Sequence, residues 1–423
     1  MIKRFIRIPA LWLCMTVVLS GCDAISDLLS VEAPSRVIAS DLEDPAAAEL
    51  LVASVANEFR CMLTYYATAS ALTGNEWRDA SNNSVLNIWD QRVHDTSGYG
   101  SQYASADCGS NQPAVYQPLS RTRWLADLTL DLLAGWDTSQ VPNKAELEAE
   151  VAMYAGFTYT MFGEAMCSVA FDEGPEQTPM DAFNLAVQRF DQATAAGASG
   201  DIASAVAVGK ARAQLNLGQT AAAASTAASV PAGFSFSLSY SNAEAVTRNK
   251  QWEFNIDDEN VTVAEPYRSF EYEGVPDPRV VVIDEETVNP QTGIAIFTST
   301  KYPEPGSPIE VASWEEAQLI IAEAEIQAGN FAAAVAIFDA LHDAVGLPAY
   351  AGELTTAALT QQLIYERAAE MYLEGHHLQD LKRLNIELFP PTGTDDGFGG
   401  AYGNQICFDL PATEFQNNGS IGS

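Results

Sequence analysis

The chain has 423 residues, 47% hydrophobic and 18% charged, with 21 Lys and Arg against 56 Asp and Glu for a formal net charge of -35. That apolar fraction excludes disorder as the global state, and the length predicts two or three domains or one large helical assembly. The acidic balance argues against nucleic acid, whose recognition neutralises phosphates with Lys and Arg, and speaks for solubility and for neutral or cationic ligands.

Residues 1–22 read MIKRFIRIPALWLCMTVVLSGC. Lys3, Arg4 and Arg7 precede an apolar stretch from Pro9 to Leu19, which falls short of the roughly 20 residues a membrane span needs and fits a secretory signal peptide. Leu19-Ser20-Gly21-Cys22 resembles the bacterial lipobox, so residues 1–21 are expected to be removed and Cys22 lipidated, with 22–36 as a tether. The expected attachment is by lipid alone, because several acyl chains on one Cys anchor stably, and in a double-membrane bacterium the expected destination is the outer membrane. Asp23, directly after the Cys, is a residue that retains lipoproteins at the inner membrane in some bacteria. Cys14 and Cys22 aside, Cys61, Cys108, Cys167 and Cys407 permit two disulfides in three connectivities, and no CxxC spacing suggests zinc or thiol exchange.

From Val37 to about Val230 the pattern is mostly helical. Leu147, Val151, Tyr154, Thr158 and Met161 predict one buried helical face, with Asn143 as N-cap behind Pro142. Residues 73–118 break this pattern with Gly, Ser, Asn and aromatics, and 232–310 carry short alternating runs (FSFSLSY, VVVI) among Pro and Gly. Both read as inserts of loops and short strands. ARAQLNLGQTAAAA from Ala211 and AEAEIQAGNFAAAV from Ala322 share Ala-x-Ala-x-aliphatic-x-x-Gly-x-x-Ala-Ala-Ala. Gly218 and Gly329 are placed to end one helix in the left-handed conformation, and the alanines let a second helix pack closely, as in a tetratricopeptide-like hairpin. Trp124 and Trp314 fall in helical periodicity and are expected in the core.

The run YERAAEMYLEGHHLQDLKRLN (Tyr365 to Asn385) resembles the signature helix of the SusD/RagB family, through Glu366-Arg367, Glu370-Met371, Glu374-Gly375-His376 and Asp380-Leu381-Lys382-Arg383. KYPEPGSPIEVASWEEAQLIIAEAEIQAGN (Lys301 to Asn330), ICFDLPATEFQNN (Ile406 to Asn418), Asp277-Pro278-Arg279 and Phe162-Gly163 are also similar to that family. His377 stands where the family usually has Arg, Ala368 where a second Arg is common, and an Arg is missing near Ala155. The resemblance implies a mostly α, tetratricopeptide-like fold over 37–423, with a C-terminal hairpin and signature helix over 311–385. It implies a surface lipoprotein that binds oligosaccharides, or in some members peptides, without chemistry or cofactor, and delivers them to a TonB-dependent transporter of the SusC type.

GxGxxG, GxxxxGK[ST], GxSxG and HExxH are all missing from the sequence, and nothing singles out a carboxylate pair for a lipoprotein glycoside hydrolase. Glu370, Glu374 and His377 would share one face of a continuous helix and are the best metal candidate, against a bland reading as helix ion pairs. Asp395-Asp396 in TGTDDGFGG is a calcium candidate weighed against a solvated turn. Sugars present C–H faces to flat rings and hydroxyls to Asp, Asn and Arg. The first insert therefore supplies the ligand-binding candidates Trp77, Arg78, Asp79, Trp89, Arg92, Tyr99 and Tyr103, beside Asn82 and Asn87, with Trp252 and Tyr267 as weaker ones.

Overall fold

Long helices form most of the structure, a computed structural model that describes residues 43–94, 103, 106–109 and 112–421. The leader, Cys22, Asp23 and Tyr99 lie outside the described residues. Contacts divide the chain into Met1–Ala47, in which Pro45–Ala47 forms a 3-10 turn, and Ala48–Ser423.

In the second unit, α1 (Ala48–Thr73), α2 (Ser84–Gln91), α3 (Tyr116–Gly135), α4 (Lys144–Ala165), α5 (Pro179–Ala195), α6 (Gly200–Asn216) and α7 (Thr220–Ala227) precede the second insert. Around α4 gather α1, α3, α5 and α6. The expected face of α4 is buried, and so is every residue from Val151 to Ala165, because helices cover it on all sides. A Cβ at Gly163 would lie 2.5 Å from the Phe183 ring of α5, so the missing side chain is what lets the two helices approach. Asn143 occupies the N-cap position of α4, yet its side chain donates to Glu49 instead of capping. Trp124 is 53% exposed, against the expectation of a core residue: α3 buries Leu119, Thr122, Arg123, Ala126, Leu130 and Leu133, a stripe that leaves position 124 outside. Trp314 is half-buried against the C-terminal core.

The repeat is structural. Gly218 (φ 73°) follows α6 and Gly329 (φ 77°) ends α8 (Trp314–Ala328), which turns into α9 (Phe331–Val345). The two hairpins are neighbours despite their separation in sequence, since α6 and α7 both pack on α8. A buried ion pair between Arg212 of α6 and Glu316 of α8 (2.6 Å) locks them together. Then come α10 (Thr356–Glu370), α11 (His377–Arg383) and α12 (Ala412–Asn417). Leu319, Ile326, Phe338, Leu341, Leu359 and Leu363 form the shared core of α8, α9 and α10.

The strands are short and pair only in twos. They are β1 (Trp77–Asp79), β2 (Ser235–Leu238), β3 (Val261–Val263), β4 (Glu271–Tyr272), β5 (Val275–Pro276), β6 (Val282–Val288), β7 (Ala295–Ser299) and β8 (Ile309–Ser313). All pairs are antiparallel: β1 with β3, β2 with β8, β4 with β5 and β6 with β7. The first of these matters most for position, because Trp77 opposite Val263 and Asp79 opposite Val261 join the two inserts into one layer. Disulfides link Cys61 to Cys108 and Cys167 to Cys407.

Candidate functional site

The first insert is held down by a segment from the far end of the chain. Backbone N–H groups of Gly403 and Gln405 donate to the carbonyls of Gln91 and Arg92, while Phe408 N donates to the Ala165 carbonyl at the end of α4 and the Phe408 carbonyl accepts from Cys167 N. Phe408 then becomes the centre of an aromatic group. Trp89 meets it edge-on, His94 stacks on it at 4.1 Å, and Tyr103 tilts against it while its hydroxyl donates to the Asp409 carbonyl. Trp77 donates its indole N–H to Gln251. Trp77, Trp89 and Tyr103 are each 1% exposed, so these rings anchor the insert and offer no open face for a sugar to stack on. Arg92 is also buried, with its guanidinium donating to Asn75 and to the carbonyls of Phe389, Pro390 and Gly403. Asp79 is buried too and accepts from Ser81 N and Oγ, both at 3.0 Å. Of the candidates in the first insert, Arg78 stands at a hollow half-exposed.

That hollow is a cleft of about 300 Å³ between β1, the turn after β3 and the 389–402 loop. Asn75, Trp77, Asp90 and Tyr402 form its floor; Arg78, Glu265, Arg268, Thr394 and Asp395 supply polar walls, and Phe389-Pro390-Pro391 an apolar one. Beside it, a groove of about 330 Å³ shares Asn75 and Phe389. Stacked rings line this groove, Tyr267 on Phe270 at 5.6 Å and Phe270 on Tyr365 at 4.9 Å, with buried Tyr372 behind Tyr267 at 4.9 Å. A third hollow, of about 540 Å³, shares Arg268 with the cleft and Phe270 with the groove. All three thus surround the turn 264–270. Sequence reasoning missed Asn75, Glu265, Arg268, Phe270, Tyr365, Phe389 and Tyr402 here. The Pro-Pro step between Phe389 and Thr392 was the one local signal, a rigid loop bearing an aromatic.

Burial shapes the titration of the floor. Asp90 accepts from Asp79 N (3.1 Å) and from the Tyr402 hydroxyl (3.2 Å), yet burial, with the Asp79 carboxyl adding to it, pushes it up to about 8. Asp79 is pushed up by burial to about 6. A folded state that keeps a proton the unfolded chain releases loses stability as pH rises, by about 1.4 kcal/mol per pH unit per proton held. Asp90→Asn should therefore gain stability relative to the parent as pH climbs from 5 to 8, and the gain should level off above 8. Thermal melting of both proteins across pH 5–9 checks this, and parallel curves would contradict it. Buried His94 behaves in the opposite sense, since burial lowers it to about 4.

The metal candidate dissolves. The run from Tyr365 to Asn385 is two helices, not one: α10 ends at Glu370, Leu373 and Gly375 take positive φ (60° and 91°), and α11 starts at His377. The break is built in, because Leu373 N donates to buried Glu76 and the Leu373 carbonyl accepts from Gln251 and Tyr302. Glu370 takes Arg279, Glu374 takes Lys301 (2.7 Å), and His377 faces the Tyr267 ring. Among the described residues no group of three or more His, Cys, Asp and Glu could hold a metal ion. In the 395–400 loop, Asp395 Oδ1 accepts from Gly397 N and Asp396 Oδ1 from Phe398 N and Gly400 N, so both carboxylates shape the turn.

What the signature residues do build is a buried network. Arg279 reaches Asp277 (2.6 Å), Glu366 (2.8 Å) and Glu370 (2.8 Å); Glu366 also accepts from His342 and Gln362. Arg367 pairs with Asp380 at 2.7 Å, and Arg383 bridges Asp380 and Glu323.

A mostly α frame of stacked hairpins, bearing loop-built hollows on one layer of inserts, defines the SusD-like fold. Residues 316–417 match the model of the SusD family. Solved structures agree across most of the chain. A putative sugar binding protein from Bacteroides vulgatus superposes with a TM-score of 0.67 at 14% identity, covering 89% of this chain and 97% of its own. A SusD-like carbohydrate binding protein from the same species gives 0.66 at 12% (90% and 97%), and a SusD superfamily protein from Bacteroides fragilis 0.65 at 13% (90% and 99%). No curated protein sequence matches the chain. The C-terminal match to the SusD family and the SusD-like fold of the chain are thus two separate likenesses to the same family.

Proposed function

We propose that the protein is a lipid-anchored, outward-facing outer-membrane binding protein that captures oligosaccharides and passes them to a TonB-dependent transporter of the SusC type, with no covalent step. The observation that carries this reading is the contiguity of a polar cleft and an aromatic-lined groove around the turn 264–270. A saccharide needs both at once, rings for its C–H faces and hydrogen-bonding groups for its hydroxyls. The related sugar and carbohydrate binding proteins support the same class of ligand. A hydrolase would need two reachable carboxyls; Asp79 and Asp90 are buried, but Glu265 and Asp395 are exposed in the cleft, so sugar release is measured beside binding.

Affinity electrophoresis through gels holding different polysaccharides, with reducing-sugar release followed in parallel, tests the reading. Retardation without release, weakened roughly ten-fold by Phe389→Ala or Arg78→Ala through loss of stacking or hydrogen bonding, is the expected result, since Phe389 is exposed and lines both the cleft and the groove. Release of sugar would make the protein a hydrolase. No retardation on any glycan, with binding of oligopeptides instead, would move it to peptide capture.

A further inference from the structure

The cleft carries a charge opposite to the protein as a whole. Most arginines among the described residues are neutralised: Arg121, Arg123, Arg189, Arg212, Arg248, Arg279, Arg367 and Arg383 each have a carboxylate within 4 Å. Arg60, Arg78, Arg92 and Arg268 have none, although 56 Asp and Glu were available to the sequence, and Arg92 spends its guanidinium on Asn75 and three carbonyls. Of the four, Arg78 and Arg268 line the cleft.

Each is also positioned. Arg268 places its guanidinium carbon over Phe297, 4.1 Å from the ring centre, and spends its Nε on the Val263 carbonyl, which leaves the two terminal nitrogens uncommitted. Arg78 reaches the Asp396 carbonyl with Nη2 at 3.4 Å, and its buried Nε has no hydrogen-bond partner. Burial lowers the Arg268 pKa and the nearby Arg78 charge lowers it further, against the opposing pull of Glu265 and Asp284. Behind the two arginines the Asp90 carboxyl, kept protonated up to about 8, does not balance the charge. Glu265 and Asp395 also line the cleft, and neither comes within ion-pair distance of the two guanidiniums. Guanidiniums held apart from acids in an acidic protein suit an anion, and their planar forks match a carboxylate.

We infer that the Arg78–Arg268 cleft reads a carboxylate on the captured saccharide, so that the ligand is a uronate-bearing oligosaccharide. This rests on the saccharide reading above and narrows it. It also refines the expectation drawn from net charge, which concerns the surface as a whole and not the inside of one cleft.

Isothermal titration calorimetry of the full-length protein tests it with three probes: oligogalacturonate, oligomannuronate and hyaluronan oligosaccharides, each beside its carboxyl-reduced counterpart. At least one uronate should bind roughly ten-fold to a hundred-fold tighter than its reduced form, the effect of one or two charge-assisted contacts. Its affinity should fall as NaCl rises from low to high ionic strength. Arg268→Gln and Arg78→Gln should each remove most of that preference with an unchanged melting temperature, while Arg268→Lys keeps the salt dependence and part of the affinity. Equal affinity for a uronate and its reduced form would overturn the carboxylate inference and leave saccharide capture standing. Failure of all three uronates to bind would also overturn it, with the neutral-glycan gels deciding the broader reading independently. Binding of a peptide with a free C-terminus, and not of its amide, would assign the two arginines to a peptide carboxylate and overturn both.

Discussion

Arg279→Met is expected to destabilise the protein by roughly 3–5 kcal/mol, the range seen when one partner of a buried ion cluster is removed. Arg279 is the hub between the second insert and α10. It neutralises Asp277 and Glu366, whose side chains are fully buried, and Glu370 at the edge. Without the guanidinium, two buried carboxyls lose their counter-charge together, and Glu366 keeps only His342 and Gln362. Methionine fills similar volume, which isolates the charge from the packing. Glu370→Gln should cost far less, because that carboxylate is partly solvated and keeps an oxygen for the same hydrogen bond. Urea or thermal unfolding of the two variants side by side measures the difference. A loss below about 1 kcal/mol for Arg279→Met would mean that the network is neutral to stability, as some buried ion clusters are.

Replacing Cys167 and Cys407 by alanine should cost about 5 kcal/mol in the chain-entropy limit, since their cross-link spans 240 residues. The same treatment of the 47-residue separation between Cys61 and Cys108 gives about 4 kcal/mol. The larger difference should be spectroscopic. Cys407 holds the segment whose Phe408 covers Trp89, His94 and Tyr103, so opening that bond should loosen the cover and shift tryptophan emission to the red. Opening Cys61–Cys108 should leave Trp89 under Phe408. Emission spectra that respond equally to both double variants would show that backbone pairing of Gly403, Gln405 and Phe408 holds the segment without the disulfide.

Legibility in the sequence follows locality. The hairpin turns at Gly218 and Gly329 were readable because a glycine and its flanking alanines state the geometry within a dozen residues. The signature motifs were readable as a block, and the structure explains their chemistry: Asp277, Arg279, Glu366 and Glu370 are parts of one ion cluster. The break between α10 and α11 was hidden, because the groups that hold Leu373 in its left-handed conformation come from Glu76, Gln251 and Tyr302 in other parts of the chain. The aromatics of the first insert misled for a related reason. Their polar neighbours looked solvent-facing, yet Asn83 caps α2 and Asp79 ties down Ser81, while residues 403–409 arrive from about 300 positions away to cover the rings. The cleft was illegible as a unit, since Arg78, Arg268 and Phe389 lie in three separate segments.

The contact of α6 and α7 with α8 also dictates an order of assembly during synthesis. α7 has eight residues, five of them alanine, and a helix of that length is marginal on its own in water. Its covering helix begins at Trp314, so the ribosome must add nearly ninety further residues after Ala227 before α7 can be sealed. The N-terminal helices around α4 can settle early, whereas the stretch from α7 through the second insert waits for the C-terminal third. Loop-closure entropy of that size slows folding more than it weakens the finished protein. For an exported protein of the kind proposed, this delay would be an advantage, because the last structural seal closes only when most of the sequence has already been delivered.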